Sequence, residues 1–148
     1  DAVTPVVQMS WDDLDELRLR KQDTPFSGTT CVLNAQSEAL WFSKNLLPAM
    51  RKESKLREAG PMSPVWRHIG LYGYKRSALE AFVALKEGHY EGLEGLEQLR
   101  FLENGMRIQA VKVPAALSAM WGIDTPQDAA HAEALIARNG EPLAEYLA

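Results

Sequence analysis

Residues 64–76 read PVWRHIGLYGYKR, and they bring a histidine, two tyrosines and glycines together at spacings of two. In an extended chain side chains alternate between two faces, so His68, Gly70, Tyr72 and Tyr74 share one face. That face offers a titratable ring, two phenols and a gap without a side chain, which suits the wall of a pocket for a polar ligand. The opposite face, Ile69, Leu71 and Gly73, reads as ordinary core. A histidine in an apolar strand serves equally as a hydrogen-bonded structural residue, and both readings stand at this point.

Three further groups carry possible chemistry. Asp124 follows the short apolar run MWGI and precedes a capped helix. Ligands of open α/β sheets bind at the carboxyl ends of strands, and a carboxylate there can take a hard cation such as Mg²⁺. The same carboxylate can simply favour the helix N-terminus that follows it. Glu97 and Gln98, in EGLEQLR, border a leucine-lined face, from which they either reach into a cleft or form a solvated flank. Lys44, Arg51 and Lys52 form a basic group able to hold an anion. Lys44 stands directly after the strand-like ALWFS, whereas Arg51 and Lys52 read more simply as surface charges.

The elements that carry these residues are legible as a pattern. TPVVQM reads as a strand, and SWDDLDELRLRK as a helix with Ser10 as N-cap, Asp13 three residues on, and Trp11, Leu14 and Leu17 on one side. CVLNAQSEALWFS reads as two strands around a polar turn at Asn34–Ser37. KNLLPAMRKESKLREAG is a charged helical or irregular excursion ending at Gly60 and Pro61. The histidine strand comes next, followed by a helix with Ser77 and Glu80 as a capping box. A second helix has Leu93, Leu96, Leu99 and Leu102 every third residue and stops at Gly105. RIQAVKV alternates like a strand. A short strand MWGI, a cap at Thr125, Pro126 at the first helical position and a helix ending at Asn139 and Gly140 complete the order. Strands separated by helices of crossover length predict an α/β domain with a mixed, mainly parallel sheet and flanking helices.

With 148 residues, 46% hydrophobic and 24% charged, the chain is long enough for one domain with a real core. A net charge of −4 argues against a general nucleic-acid binder. No apolar run approaches the roughly 18 residues of a membrane helix. The single cysteine, Cys31, forms no internal disulfide, which fits a reducing, cytoplasmic setting. P-loop, G-x-G-x-x-G, H-E-x-x-H, paired C-x-x-C and G-x-S-x-G patterns are all missing, so spacing alone names no reaction.

Four segments in order, LWFSKNLLP, RHIGLYGYKRSALEAFV, LEGLEQLRFLENG and GIDTPQD, resemble the C-terminal half of 3-deoxy-manno-octulosonate cytidylyltransferase, the CMP-Kdo synthetase family. The match runs from about Thr29 to Leu135, and WFSKN together with the RKESKLREAG segment resembles the alphaproteobacterial branch. The resemblance implies a nucleotide-diphospho-sugar transferase-like α/β fold and a cytoplasmic homodimer. It implies transfer of CMP from CTP to 3-deoxy-manno-octulosonate (Kdo) with release of pyrophosphate, for lipopolysaccharide biosynthesis. It also implies Mg²⁺ held by two aspartates, the second at Asp124. His68, Tyr72, Glu97 and Gln98 fall on sugar-acid contacts. Lys44 falls where most members have a Kdo-binding arginine, and Arg51 falls near a further family arginine. Lysine offers a point charge where arginine grips a carboxylate bidentately, so another acid sugar is the alternative acceptor. The chain starts at Asp1 without the family's CTP-phosphate loop or first metal aspartate, so the sequence is expected to be the C-terminal, acceptor-binding and dimerising portion of a longer enzyme, inactive alone. A non-catalytic relative that binds a sugar acid or dimerises is the reading from another class.

Overall fold

The computed structural model describes residues 1–114 and 126–140. β1 (Ala2–Ser10) is buried at Val6, Val7 and Met9, and burial on both faces places it inside the sheet. It pairs antiparallel with β4 (Met62–His68) and with the two-residue β5 (Gly73–Tyr74), and parallel with β6 (Ile108–Val113). β2 (Thr30–Leu33) pairs antiparallel with β4 and with β3 (Ala39–Ser43). The order is β3-β2-β4-β1-β5, with β6 also on β1.

The α/β class is as expected, but the predominance of parallel pairing is corrected. Among the described strand pairs, β1 with β6 is the parallel one. The polar turn at Asn34–Ser37 makes a hairpin of β2 and β3, which forces them antiparallel. A helix of crossover length permits a parallel return but does not require one.

α1 (Trp11–Asp23) begins as its sequence predicts. Ser10 Oγ accepts the Asp13 N–H at 3.1 Å, and the Asp13 carboxylate accepts the Ser10 N–H at 3.3 Å. Trp11, Leu14 and Leu17 pack with Met9 and Val65 in one apolar cluster. A second cluster gathers Val6, Phe42, Phe82, Leu99, Phe101 and Ile108 among others. α2 (Glu53–Ala59) has no buried residue and is tied to α1 by Arg18 and Arg57, which pair with Asp15 and Glu53 at 2.7–3.1 Å.

Three further expectations are corrected. The histidine strand ends at His68, and Ile69–Tyr72 leave the sheet before β5, so Leu71 is 67% exposed and is not core. α3 (Arg76–Ala84) starts after Lys75 without a side-chain cap, and Glu80 instead pairs with Arg76 one turn away at 2.8 Å. The leucine-repeat helix is two helices, α4 (His89–Glu94) and α5 (Leu99–Glu103). Gly95, at φ +62°, takes the left-handed conformation that terminates α4. Leu96 and Leu99 are then buried while Leu93 stays exposed. α6 (Pro126–Asn139) starts at Pro126 and is followed by Gly140 at φ +83°, as expected. The MWGI strand, Asp124 and the Thr125 cap lie outside the described residues.

Urea unfolding checks the two features that set α1 in place. Leu14→Ala is expected to cost about 3 kcal/mol by leaving a cavity, and Ser10→Ala about 1 kcal/mol by removing the cap.

Candidate functional site

The site begins with a hydroxyl in the sheet. Thr4 is fully buried on β1, and its Oγ1 lies 2.8 Å from the Leu71 carbonyl, 3.2 Å from the Ile69 carbonyl and 3.0 Å from His68 Nε2. A hydroxyl has one proton, and the short contact to the Leu71 carbonyl takes it. His68 Nε2 is therefore the donor to Thr4, and Nδ1 is the ring's acceptor nitrogen. Burial, and secondarily the Lys44 ammonium, lower the His68 pKa to about 4, so the ring is neutral at physiological pH.

The bond from Thr4 folds the chain back so that the Tyr72 ring lies 5.3 Å from the His68 ring. An aromatic row continues from there. Phe42 meets His68 edge-on at 5.1 Å, Tyr72 stacks on Tyr74 at 5.7 Å, Tyr74 on Phe101 at 5.7 Å, and Phe101 on Phe82 at 4.5 Å. Burial raises the Tyr72 phenol, and the Tyr72 hydroxyl is buried without a hydrogen-bond partner among the described residues. His68 and Tyr72 are brought together as the sequence suggests, though by a turn rather than a continuous strand. A Cβ on Gly70 would meet nothing within 4 Å, so packing does not enforce that gap.

Gln98 and Glu97 arrive from the break between α4 and α5. The buried carboxylate of Glu91 accepts from Arg100 Nε at 2.7 Å and from the Gly88 N–H at 2.8 Å. Glu103 accepts the Tyr90 and Glu91 N–H groups at 3.0 and 3.1 Å, satisfying the start of α4. Held this way, Gln98 is buried with its Nε2 unpartnered among the described residues. Burial is the main cause that raises both Tyr72 and Tyr74, and the exposed Glu97 carboxylate adds a smaller push in the same direction.

Lys44 is half-buried just beyond β3, and its charge is felt at His68. It follows Phe42 by two residues, and the Phe42 ring meets His68 edge-on at 5.1 Å, which sets Lys44 beside the same group. Arg51 does not join that group: it is exposed in the turn before α2, and its side chain has no bond or ring contact to these residues. Asp124 lies outside the described residues, and among the described residues no group of three or more His, Cys, Asp or Glu could hold a metal ion. Cys31 is buried with its thiol pushed up to about 12, which suits packing. Sequence reasoning missed Thr4. Thr4 in an apolar strand was a legible signal, because a hydroxyl buried there must find partners.

The fold is the mixed α/β arrangement of one enzyme family. The chain belongs to the cytidylyltransferase family, whose model matches residues 11–108. Relatives named 3-deoxy-manno-octulosonate cytidylyltransferase include one from Maricaulis maris, 40% identical over 138 residues, or 93% of this chain and 51% of the relative. Another, from Xanthomonas oryzae pv. oryzae, is 42% identical over 108 residues, 72% of this chain and 41% of the relative. A solved structure described as CMP:2-keto-3-deoxy-manno-octonic acid synthetase complexed with CTP superposes with a TM-score of 0.65. It is 26% identical, over 93% of this chain and 49% of that one. The chain spans about half the length of the curated relatives it matches.

The His68 environment has a measurable consequence. Its folded pKa, about 4, lies below the usual 6.5, so between these values the unfolded chain binds the extra proton. Stability is therefore expected to fall by roughly 3 kcal/mol as pH drops from 6.5 to 4. His68→Gln should flatten that slope in urea titrations. The His68 ring proton resonance should titrate near pH 4, and a midpoint near 6.5 would contradict the buried neutral ring.

Proposed function

We propose that this chain supplies the acceptor-binding wall of an enzyme that transfers CMP from CTP to Kdo, releasing pyrophosphate. The observation that carries the reading is the pair of unpartnered buried polar atoms, Tyr72 Oη and Gln98 Nε2, on two residues that the family resemblance assigns to the sugar acid. Orphaned buried donors cost about 1–3 kcal/mol each, and a hydroxylated ligand relieves that cost by accepting from both.

In the transfer, the anomeric oxygen of Kdo bonds to the α-phosphorus of CTP as the bond to pyrophosphate breaks, and the hydroxyl proton passes to solvent. The residues here act on the acceptor. The neutral His68 ring presents Nδ1 as an acceptor for a sugar hydroxyl, and Tyr72 and Gln98 donate. Lys44 supplies charge for the carboxylate, and exposed Glu97 accepts a hydroxyl at the rim. Holding one reactant in place in this way is worth up to about 7–11 kcal/mol of the barrier in well-oriented cases. Mg²⁺ belongs to the proposal through Asp124, a carboxylate that suits a hard cation. Bound there, it would neutralise charge building on the phosphoryl oxygens. A homodimer, a cytoplasmic setting and a place in lipopolysaccharide biosynthesis complete the reading. No helix among the described residues is long and apolar enough to cross a membrane.

Lys44 favours a second reading of the acceptor. A point charge in place of a bidentate guanidinium relaxes the demand on the acid's geometry, so another acid sugar is the alternative.

Pyrophosphate release from CTP by the intact gene product, with Kdo or other acid sugars supplied, tests both. Release with Kdo supports the first reading. Release only with another acid sugar moves the acceptor, and no release with any of them leaves ancestry without activity. Tyr72→Phe and Gln98→Leu are expected to act in opposite directions on stability and function. Each should raise the KM for Kdo about tenfold and stabilise the unliganded protein by about 1 kcal/mol, read by steady-state kinetics and thermal melting.

A further inference from the structure

The turn that carries Lys44 is held by side chains from three directions. Thr30 Oγ1 donates to the Asn45 carbonyl at 2.7 Å and accepts the Leu47 N–H at 3.0 Å, while Ser43 Oγ accepts the Asn45 N–H at 2.9 Å. At the centre, both peptide groups of Lys44 are bound to charges. Its N–H donates to Glu94 Oε2 at 2.8 Å, and Glu94 Oε1 takes the Ser43 hydroxyl at 2.7 Å. Its carbonyl accepts from Lys21 Nζ at 2.6 Å. The same ammonium reaches the carbonyls of Pro25, Ser27 and Gly28, so it also ties down the chain leading into β2. Burial lowers the Lys21 pKa, as expected of an ammonium that has exchanged water for carbonyls.

Hydrogen bonds with one charged partner are roughly twice as strong as neutral ones. Here an anion from α4 and a cation from α1 grip opposite sides of one residue. A structural reason for such a grip lies in the lysine itself. Arginine brings a planar, pre-organised fork, whereas lysine brings a point charge on a flexible stem. The place of that charge is then set by how firmly the backbone beneath it is held.

We propose that Glu94 and Lys21 are positioning residues for the acid sugar, fixing the backbone of Lys44 so that its ammonium stands at the wall formed by His68 and Tyr72. This rests on the acceptor reading given above and adds two residues that touch no substrate. They act through Lys44, so their effect must vanish when the Lys44 side chain is absent.

The test is a double-mutant cycle on the intact gene product. Glu94→Gln and Lys21→Met are assayed for kcat and for KM with Kdo and with CTP, each alone and combined with Lys44→Ala. Each single change is expected to raise the KM for Kdo about tenfold and to leave the KM for CTP within about twofold. In the Lys44→Ala background each should add less than about twofold. Equal losses with and without Lys44, or a loss confined to kcat, overturn the positioning role and leave a structural one. If Lys21→Met does not fold, the near-isosteric Glu94→Gln decides the matter by the same cycle. Wild-type protein that accepts a different acid sugar overturns the Kdo reading alone, and the cycle repeated with that sugar still tests the grip on Lys44. Wild-type protein that turns over no acid sugar overturns both.

Discussion

The hydroxyl of Thr4 is the constraint on which the site depends. Its buried place on β1 obliges it to find partners, because an unpaired polar group there would cost more than most single contacts return. It finds them in His68 and in the carbonyl of Leu71, and in doing so it ends one strand and starts the turn to the next. That bond also settles which imidazole nitrogen carries the proton. A single hydroxyl thus determines the orientation of His68, the path of residues 69–72 and the arrival of Tyr72 beside the ring.

From that point the site and the core are one continuous object. The rings run from Phe42 through His68, Tyr72 and Tyr74 to Phe101 and Phe82, linking β3, β4 and β5 to α5 and α3. Phe42 and Phe101 are almost fully buried, while Tyr74 between them is 42% exposed, so the row reaches the surface at its middle and is anchored in dry interior on both sides. Arg100 continues it, with its guanidinium 4.6 Å over the Phe82 ring while its nitrogens bind Glu91. This joins the segment bearing Glu97 and Gln98 to the same scaffold. Side chains locked by packing on both sides lose little further freedom when a ligand binds.

How much of this the sequence discloses follows from the range of each interaction. The Ser10–Asp13 capping box is local, lies within four residues, and reads correctly. The hairpin at Asn34–Ser37 is local too, and Asn34 Oδ1 accepts the Gln36 and Glu38 N–H groups, as its place in a turn leads one to expect. The same local logic fails at Ser77 and Glu80, where Arg76 competes for the carboxylate. It also fails at Leu93, where a glycine in the left-handed region interrupts a clean three-residue period. The histidine strand is misread for a long-range reason: Thr4 is more than sixty residues away, and alternation carries no knowledge of it. The structure brings the His68 and Tyr72 rings within 5.3 Å of one another, and the family resemblance, which rests on several separated segments, carries tertiary placement that no single window holds. Arg51, assigned on one loosely aligned loop, does not join them.

Several features of the wall oppose folding. A histidine is kept neutral at the expense of solvation, a phenol and an amide are buried without partners among the described residues, and a lysine ammonium is turned inward to carbonyls. Local and global choices normally agree in a folded chain, and violations gather where something other than stability is selected. Adventitious strain would be scattered over the molecule. Here the unpartnered hydroxyl stands against His68, and the unpartnered amide adjoins Glu97, whose charge is felt at that same phenol. The acid-sugar proposal calls on these kinds of group: an acceptor nitrogen, two donors and a cation. The fold tolerates this because the surrounding structure is over-determined, by the Thr4 hydroxyl below, the aromatic row along one side, and the charges on Lys44 from α1 and α4.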